Sequence, residues 1–121
     1  MSLKESTPNS FRVVFKQSAY DEFKRLDNSV KLKVAAQLLK IQGNPLVGEA
    51  LGNKFGIDLT GLRRIYVDNR RLRIIWEVQW DRVIVLVFGI GSRDKEEIYK
   101  LVARRFKEKE CQPHNPRGGP A

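Results

Sequence analysis

Apolar positions follow two different periods along the chain. Short runs rich in β-branched and aromatic residues predict four strands, at 11–15 (FRVVF), 61–67, 70–80 and 83–90. The last run, VIVLVFGI, is apolar without alternation, which is typical of a central strand covered on both faces. DN at 68–69 and the WDR centred on Asp81 suit turns between the last three strands, which would make them antiparallel.

Between the first two strands, apolar residues recur every three or four positions, which predicts two helices. We expect the first helix to begin at Ser18, with Asp21 in a capping-box arrangement. The DNS at 27–29 caps the second helix, and Gly43 with Pro45 ends it. The positions expected to face a sheet are Ala19, Phe23 and Leu26 on the first helix and Val30, Val34, Leu38 and Ile41, flanked by Ala35 and Leu39, on the second.

Residues 44–60 contain three glycines and no clean period, which indicates a loop with room for one helical turn. A last helix, capped by Ser92 or Asp94, has an apolar side of Ile98, Leu101, Val102 and Ala103. The element order is therefore β-α-α-β-β-β-α. This order predicts an α+β fold, in which an N-terminal helical hairpin packs on a mainly antiparallel four-stranded sheet, with a C-terminal helix.

Length and composition indicate one globular domain, because 121 residues with 41% hydrophobic side chains can form their own core. We place this domain at residues 11–109, after a flexible lead (1–10) and before a Pro- and Gly-rich tail (110–121) that we expect to be disordered. No apolar run reaches the roughly 20 residues that span a bilayer. The first ten residues lack a signal-peptide core, and Cys111 is the single cysteine, so we expect a cytoplasmic protein without membrane contact.

The charge balance favours a nucleic-acid partner. The chain has 23 Lys and Arg against 14 Asp and Glu, a formal net charge of +9. A small basic domain of this kind usually meets phosphate, although an acidic protein could also neutralise it. The sequence contains no Cys/His cluster, no phosphate-binding glycine loop and no nucleophilic triad, so we expect neither a metal nor a cofactor.

The stretch GLRRIYVDNRRLRIIWEV (61–78) carries five arginines on two neighbouring strands. By strand alternation, Ile65 and Val67 share a face with the apolar side of the second strand, so Arg64, Tyr66 and Arg73 should project together from the other side. Cations held this close repel each other unless an anion lies between them.

Arg93, directly after the GIGS that ends the central strand, and Tyr99 on the last helix can join this group in a concave patch. Phosphate with stackable bases, as in single-stranded RNA or DNA, fits such a patch. Two plainer interpretations stay open. Arginines on an edge hairpin also prevent strand-to-strand aggregation, and a tyrosine at helical spacing from Val102 and Ala103 is often part of a core.

The hairpin sequence, followed by VIVLVFGIGSRDKEEIYKLVARR, resembles the RelE/ParE superfamily of type II toxin–antitoxin toxins, and in particular the RelE-like ribosome-dependent messenger-RNA endonucleases. The resemblance covers roughly residues 11 to 106. It rests on the order and spacing of several pieces and not on one strict motif.

The resemblance implies a set of catalytic residues. These are the basic residue on the second strand, the arginine of LRIIW, the arginine of GSR and the tyrosine of the C-terminal helix: Arg64, Arg73, Arg93 and Tyr99. Tyr66 stands where the best-known members have a second lysine, and Lys54 on the preceding loop is a candidate to replace that lysine. As RNA-binding residues we assign Lys54, Arg63, Tyr66 and Arg71.

The implied activity is that of a metal-independent endoribonuclease, an mRNA interferase in which the RNA 2′-hydroxyl attacks the adjacent phosphodiester. The implied partners are a cognate antitoxin, the ribosome and messenger RNA. Two alternatives remain, a ParE-like inhibitor of DNA gyrase and a non-catalytic nucleic-acid-binding member of the same fold.

Overall fold

The computed structural model describes residues 11–54, 56–92 and 95–107. The helices are α1 (Gln17–Lys24), α2 (Asn28–Gly43) and α3 (Lys95–Lys107). The strands are β1 (Arg12–Phe15), β2 (Glu49–Ala50), β3 (Asn53–Lys54), β4 (Ile57–Asp58), β5 (Leu62–Val67), β6 (Leu72–Gln79) and β7 (Ile84–Ser92). The predicted lead (1–10) and tail (110–121) lie outside the described ranges. Among the helices described, none is long and apolar enough to cross a membrane.

The main sheet has the strand order β1-β7-β6-β5-β2. β1 runs parallel to β7, and the other pairings are antiparallel. β7 lies between β1 and β6 and is buried on both faces, with Val85 and Val87 in one core cluster and Leu86 and Phe88 in the other. The prediction of a doubly covered central strand is confirmed.

The first core lies between the sheet and the helical hairpin. Val34 and Ile41 of α2 pack with Trp76 and Val87 of the sheet. The predicted α2 stripe is confirmed, since Val30 and Leu38 also pack against this cluster. The flanking positions Ala35 and Leu39 are instead exposed, because they lie on the side of α2 away from the sheet.

The second core lies between the opposite face of the sheet and α3, where Ile98 and Val102 are buried. Two glycines of β7 allow this close approach. A Cβ on Gly89 would lie 2.8 Å from Val102 Cγ2, and any side chain on Gly91 would collide with Ile98. A register shift at Ile75/Trp76 turns Phe88 toward the same face as Gly89, so α3 has a broad apolar surface to pack on.

The start of α1 differs from the prediction. The helix begins at Gln17 and its N-cap residue is Lys16, which makes no side-chain capping bond. The Lys16 backbone nitrogen donates to Val87 O at 2.9 Å, and its carbonyl accepts from Tyr20 N at 2.9 Å. Because strand pairing fixes the residue at which the helix starts, the predicted capping box of Ser18 and Asp21 is wrong. Asp21 accepts a hydrogen bond from the Gln17 side chain at 3.0 Å instead.

In the described part of the predicted loop (44–54 and 56–60), the chain forms three two-residue strands and no helical turn. One of them, β2, pairs with β5, so the main sheet of the described residues has five strands and not four. β2 covers backbone groups that the edge of β5 would otherwise expose, and Leu51 N donates to Leu62 O at 2.8 Å just beyond it.

The connection between β5 and β6 is also longer than predicted. It spans residues 68–71, and Arg71 N donates to Asp68 O at 3.0 Å. Three successive residues, Asp68, Asn69 and Arg70, have φ values of 59°, 55° and 67°. Asp and Asn tolerate this left-handed conformation better than other residues with side chains, which explains why the DN pair marked the turn but not its length.

A charge pair attaches α3 to α1 and to the sheet. The guanidinium of Arg105 donates to both Glu22 carboxylate oxygens, at 2.9 and 3.2 Å, and to Phe88 O at 2.9 Å. Glu22 also accepts from Ile90 N at 3.0 Å. The pair thus satisfies backbone groups of β7 beyond the point where β1 ends, and it fixes α3 over the sheet.

We predict that Glu22→Ala lowers the free energy of unfolding by about 1–3 kcal/mol, because the Ile90 N–H loses its acceptor and the part-buried Arg105 loses its carboxylate partner. The matched control is Asp21→Ala on the same helix, whose exposed pair with Lys24 at 3.7 Å should contribute no more than about 0.5 kcal/mol. Urea unfolding of both variants measures the difference. Equal losses would show that the Glu22 pair does not hold α3.

Candidate nucleic-acid site

Arginine and tyrosine side chains meet where the β5–β6 hairpin faces α3. Tyr66 pairs with Arg73 across the two strands, and Arg64 pairs with Ile75. Ile75 belongs to the core under α3, whereas Ile65, Val67 and Ile74 belong to the core under α2. The predicted shared face of Arg64, Tyr66 and Arg73 is therefore confirmed, and it is the face that α3 covers.

Arg64 links the hairpin to α3. Its Nη1 donates to the Tyr99 hydroxyl at 2.8 Å. Both groups are buried, with Arg64 8% and Tyr99 2% exposed. The Nε–H of Arg64 is buried as well and has no acceptor among the described residues. A buried donor without an acceptor is costly, and such conflicts are tolerated more often at functional sites than elsewhere.

A carboxylate that the sequence analysis missed completes this contact. Glu49 on β2 forms an ion pair with Arg64, and the two residues are register partners. The Glu49 side chain is 61% exposed. No sequence signal identified it, because β2 is only two residues long and lies in a segment without a clean period.

Tyr66 is surrounded by guanidinium groups. The distances from its ring centroid to the guanidinium carbons are 4.6 Å for Arg64, 4.9 Å for Arg70 and 5.2 Å for Arg73. Arg73 also lies 5.9 Å from the Tyr99 ring. Each such contact contributes about 0.5–2 kcal/mol, which helps to hold cations together despite their repulsion.

The arginines change the acidity of Tyr66. Partial burial acts to raise the pKa of its phenol. The charges of Arg64 and Arg73, a hydrogen bond with Arg73 and the charge of Arg70 outweigh that effect. Together they hold the pKa of Tyr66 below its ordinary value of 10.0.

α3 covers the arginine face more fully than the sequence indicated. Arg73 is only 2% exposed and lies between the rings of Tyr66 and Tyr99. Direct contact between Arg73 and a phosphate therefore requires one ring, or α3, to move aside. The arginine cluster comprises Arg64, Arg70, Arg73, Tyr66, Tyr99 and Glu49. Its accessible part is formed by the half-buried Tyr66 and by the exposed Arg70 and Glu49.

Arg63 lies on the opposite face of β5 from its neighbour Arg64. Its guanidinium donates to three carbonyls of the preceding loop, those of Leu46 (2.6 Å), Val47 (3.2 Å) and Gly48 (3.2 Å). In this position it holds the loop that carries Glu49 against the sheet. An RNA contact by Arg63 remains a prediction.

Three other predicted site residues are not placed in the cluster. Lys54 lies on β3, outside the main sheet, and Arg71 is exposed in the hairpin connection. Arg93 lies outside the described residues. Their assignments remain predictions.

A shallow depression of about 440 Å³ lies beside the cluster, between α2 and the hairpin connection. Its wall includes Lys33, Tyr66 and Arg70. Lys33 donates to the Asp68 carboxylate at 2.8 Å, and this hydrogen bond holds the pKa of Asp68 below its ordinary value. Within the described ranges, no group of three or more His, Cys, Asp or Glu side chains could hold a metal ion.

The chemistry open to this cluster follows from its side chains. Guanidinium groups stay protonated below about pH 12, so they can bind an anion and stabilise growing negative charge but do not exchange protons near neutral pH. The tyrosines can stack on a base or donate a hydrogen bond. The cluster therefore fits a phosphodiester better than a neutral ligand.

We predict that Tyr99→Phe lowers the free energy of unfolding by about 1–3 kcal/mol, because the variant leaves a buried Arg64 N–H without its acceptor. Tyr20→Phe is the matched control, since Tyr20 is half-exposed and water can replace its hydroxyl contacts. Urea unfolding should separate the two variants. Wild-type stability in Tyr99→Phe would contradict a structural role for the Arg64 contact.

No family model matches the chain. A curated Escherichia coli relative named as a RelE-like toxin is 25% identical over 100 residues, which cover 80% of this chain and 98% of the relative. A free Escherichia coli RelE variant has a TM-score of 0.66 at 18% identity, over 79% of this chain and 97% of that chain. The RelBE2 toxin–antitoxin complex of Mycobacterium tuberculosis has a TM-score of 0.59 at 17% identity, over 72% of this chain and 95% of that chain. The chain therefore has the fold of the RelE toxins, which confirms the fold that the sequence resemblance implied.

Proposed function

We propose that this protein is the toxin of a type II toxin–antitoxin system and that it cleaves messenger RNA on the ribosome. The observation that carries the proposal is the convergence of Arg64, Tyr66 and Arg73 of the hairpin with Tyr99 of α3, on a fold shared with the RelE toxins. A net charge of +9 supports an RNA target.

The proposed reaction is metal-independent. The ribose 2′-hydroxyl attacks the adjacent phosphorus in line with the departing 5′-oxygen, leaving a 2′,3′-cyclic phosphate and a 5′-hydroxyl. The protein must hold the RNA in the in-line geometry and stabilise the extra negative charge that grows on the phosphate. Arg64 and Arg73 are suited to that charge, and the sequence resemblance adds Arg93. Tyr99 holds Arg64 in place through its hydroxyl.

The ribosome is proposed as the partner that presents the substrate. The cluster binds phosphate through charge and ring stacking, which are contacts that tolerate many sequences. Buried arginines also require the RNA to be held firmly while α3 or a tyrosine ring gives way. A ribosome that fixes the messenger RNA supplies that alignment from outside the toxin.

A cognate antitoxin is the second proposed partner. The Mycobacterium tuberculosis neighbour is a toxin–antitoxin complex, which supports the proposal by analogy. An acidic antitoxin segment could neutralise this basic chain by covering the arginine cluster or by shifting α3 away from Arg64.

We predict that purified wild-type protein produces new messenger-RNA ends on ribosomes, detected by primer extension. Arg73→Lys keeps the charge but loses the planar guanidinium, and should slow cleavage by about 10²-fold or more. Because Arg73 is buried, thermal melts must show that the variant is folded. The matched control is Arg82→Ala. Arg82 is an exposed residue of the β6–β7 connection that donates to the Gln79 side chain, and this variant should cleave at the wild-type rate.

Intact messenger RNA with the folded wild-type protein would remove the endonuclease proposal. RNA binding without cleavage would then favour a non-catalytic member of the fold, and a gyrase-cleavage assay would test the ParE-like alternative. Loss of cleavage in Arg82→Ala together with wild-type cleavage by Arg73→Lys would indicate general electrostatic binding and not a site at Arg73.

A further inference from the structure

The proposed reaction needs a group that accepts a proton from the ribose 2′-hydroxyl. In the proposed reaction the 2′-hydroxyl must lose a proton as its oxygen attacks phosphorus, so a base close to the phosphate accelerates the step. Arginine is a poor base for this purpose, because its guanidinium stays protonated below about pH 12. Another side chain of the cluster must therefore accept the proton, or water must.

Among the described residues, the cluster contains three side chains other than arginine that can accept a proton in their ionised form: Glu49, Tyr66 and Tyr99. Tyr99 is 2% exposed, and its hydroxyl already accepts the Arg64 hydrogen bond. The Glu49 carboxylate is paired with Arg64, and a carboxylate is the weaker base, with an ordinary pKa near 4.3 against about 10 for a phenol. The phenol of Tyr66 is a stronger base than the carboxylate of Glu49, and unlike Tyr99 it is only half-buried.

Tyr66 is also accessible from solvent. It borders the depression of about 440 Å³ beside α2, together with Lys33 and Arg70. The depression opens on the α2 side of the hairpin end, so a ribose-phosphate entering there meets the cations Lys33 and Arg70 next to Tyr66. Tyr66 is half-buried, whereas Arg73 is buried.

The charges around Tyr66 stabilise its ionised form. Guanidinium carbons lie 4.6 Å (Arg64), 4.9 Å (Arg70) and 5.2 Å (Arg73) from the ring. The other charged groups nearby are already paired, Lys33 with Asp68 and Glu49 with Arg64. On balance these surroundings lower the pKa of Tyr66, even though partial burial acts to raise it.

We propose that the Tyr66 phenolate is the general base of the site and accepts the proton of the attacking 2′-hydroxyl. This inference rests on the proposed function. The 2′-oxygen forms its bond to phosphorus as the bond from phosphorus to the 5′-oxygen breaks. The departing 5′-oxygen takes a proton from water, and the Tyr66 phenol returns its own proton to solvent, so protons balance over one turnover.

The chain contains three tyrosines, so their ionisation can be resolved by alkaline ultraviolet difference titration. We expect Tyr66 to ionise first, so that Tyr66→Phe removes the first step of the titration. Tyr20→Phe is the matched control and should leave that step in place. This measurement needs no RNA or ribosome, and a first step that persists in Tyr66→Phe would overturn the proposal.

The second arm measures single-turnover cleavage on ribosomes against pH. Wild-type cleavage should rise tenfold per pH unit and level off at the pH where Tyr66 ionises. Cleavage by Tyr66→Phe should be slower by about 10²-fold or more, and its rate should show no plateau with pH. A fluorinated tyrosine at position 66, whose phenol is more acidic, should move the levelling to lower pH, which a purely structural role of Tyr66 would not do.

The outcomes separate this proposal from the proposed function. If wild-type protein cleaves and Tyr66→Phe keeps both the rate and the pH profile, Tyr66 is not the base but the endonuclease stands. If Glu49→Gln abolishes cleavage and Tyr66→Phe does not, the base is Glu49. Absence of cleavage by wild-type protein would remove both proposals together.

Discussion

The hydrogen bond from Arg64 to the Tyr99 hydroxyl connects the β5–β6 hairpin to α3, and the geometry of the candidate site depends on it. Without α3 in this position, Arg73 would face solvent and the Tyr99 ring would not reach it. Two other features keep α3 there. Gly89 and Gly91 let the helix approach the sheet, and the Glu22–Arg105 pair fixes it beyond the end of β1.

Strand pairing and contacts with the Tyr66 ring explain how a small sheet holds several cations in one place. Strand pairing sets the positions of Arg64, Tyr66 and Arg73, and the tyrosine ring between them offers its electron-rich face to each guanidinium. The arginine side chains are thereby ordered before any RNA arrives. A site ordered in advance pays less entropy when it binds a phosphate, which is the condition for effective charge stabilisation.

Sequence alone predicted much of this arrangement, because period-two alternation and strand order are local signals. Alternation placed Arg64, Tyr66 and Arg73 on one face, and the unbroken apolar run identified β7 as the doubly covered strand. It could not predict Glu49, which is beside Arg64 only because a two-residue strand pairs there. Nor could it predict the partners of Arg63, whose guanidinium donates to backbone carbonyls of the preceding loop on the opposite face from Arg64.

The most direct test of the central claim uses messenger RNA with a single 2′-deoxy nucleotide on the 5′ side of the mapped scissile phosphate. The arginine cluster is proposed to act on a nucleophile that belongs to the substrate, so cleavage at that phosphate should disappear. A deoxy substitution one nucleotide away should leave cleavage at the wild-type rate. Unchanged cleavage of the RNA lacking that hydroxyl would contradict the account, because the attacking oxygen would then come from water or from the protein.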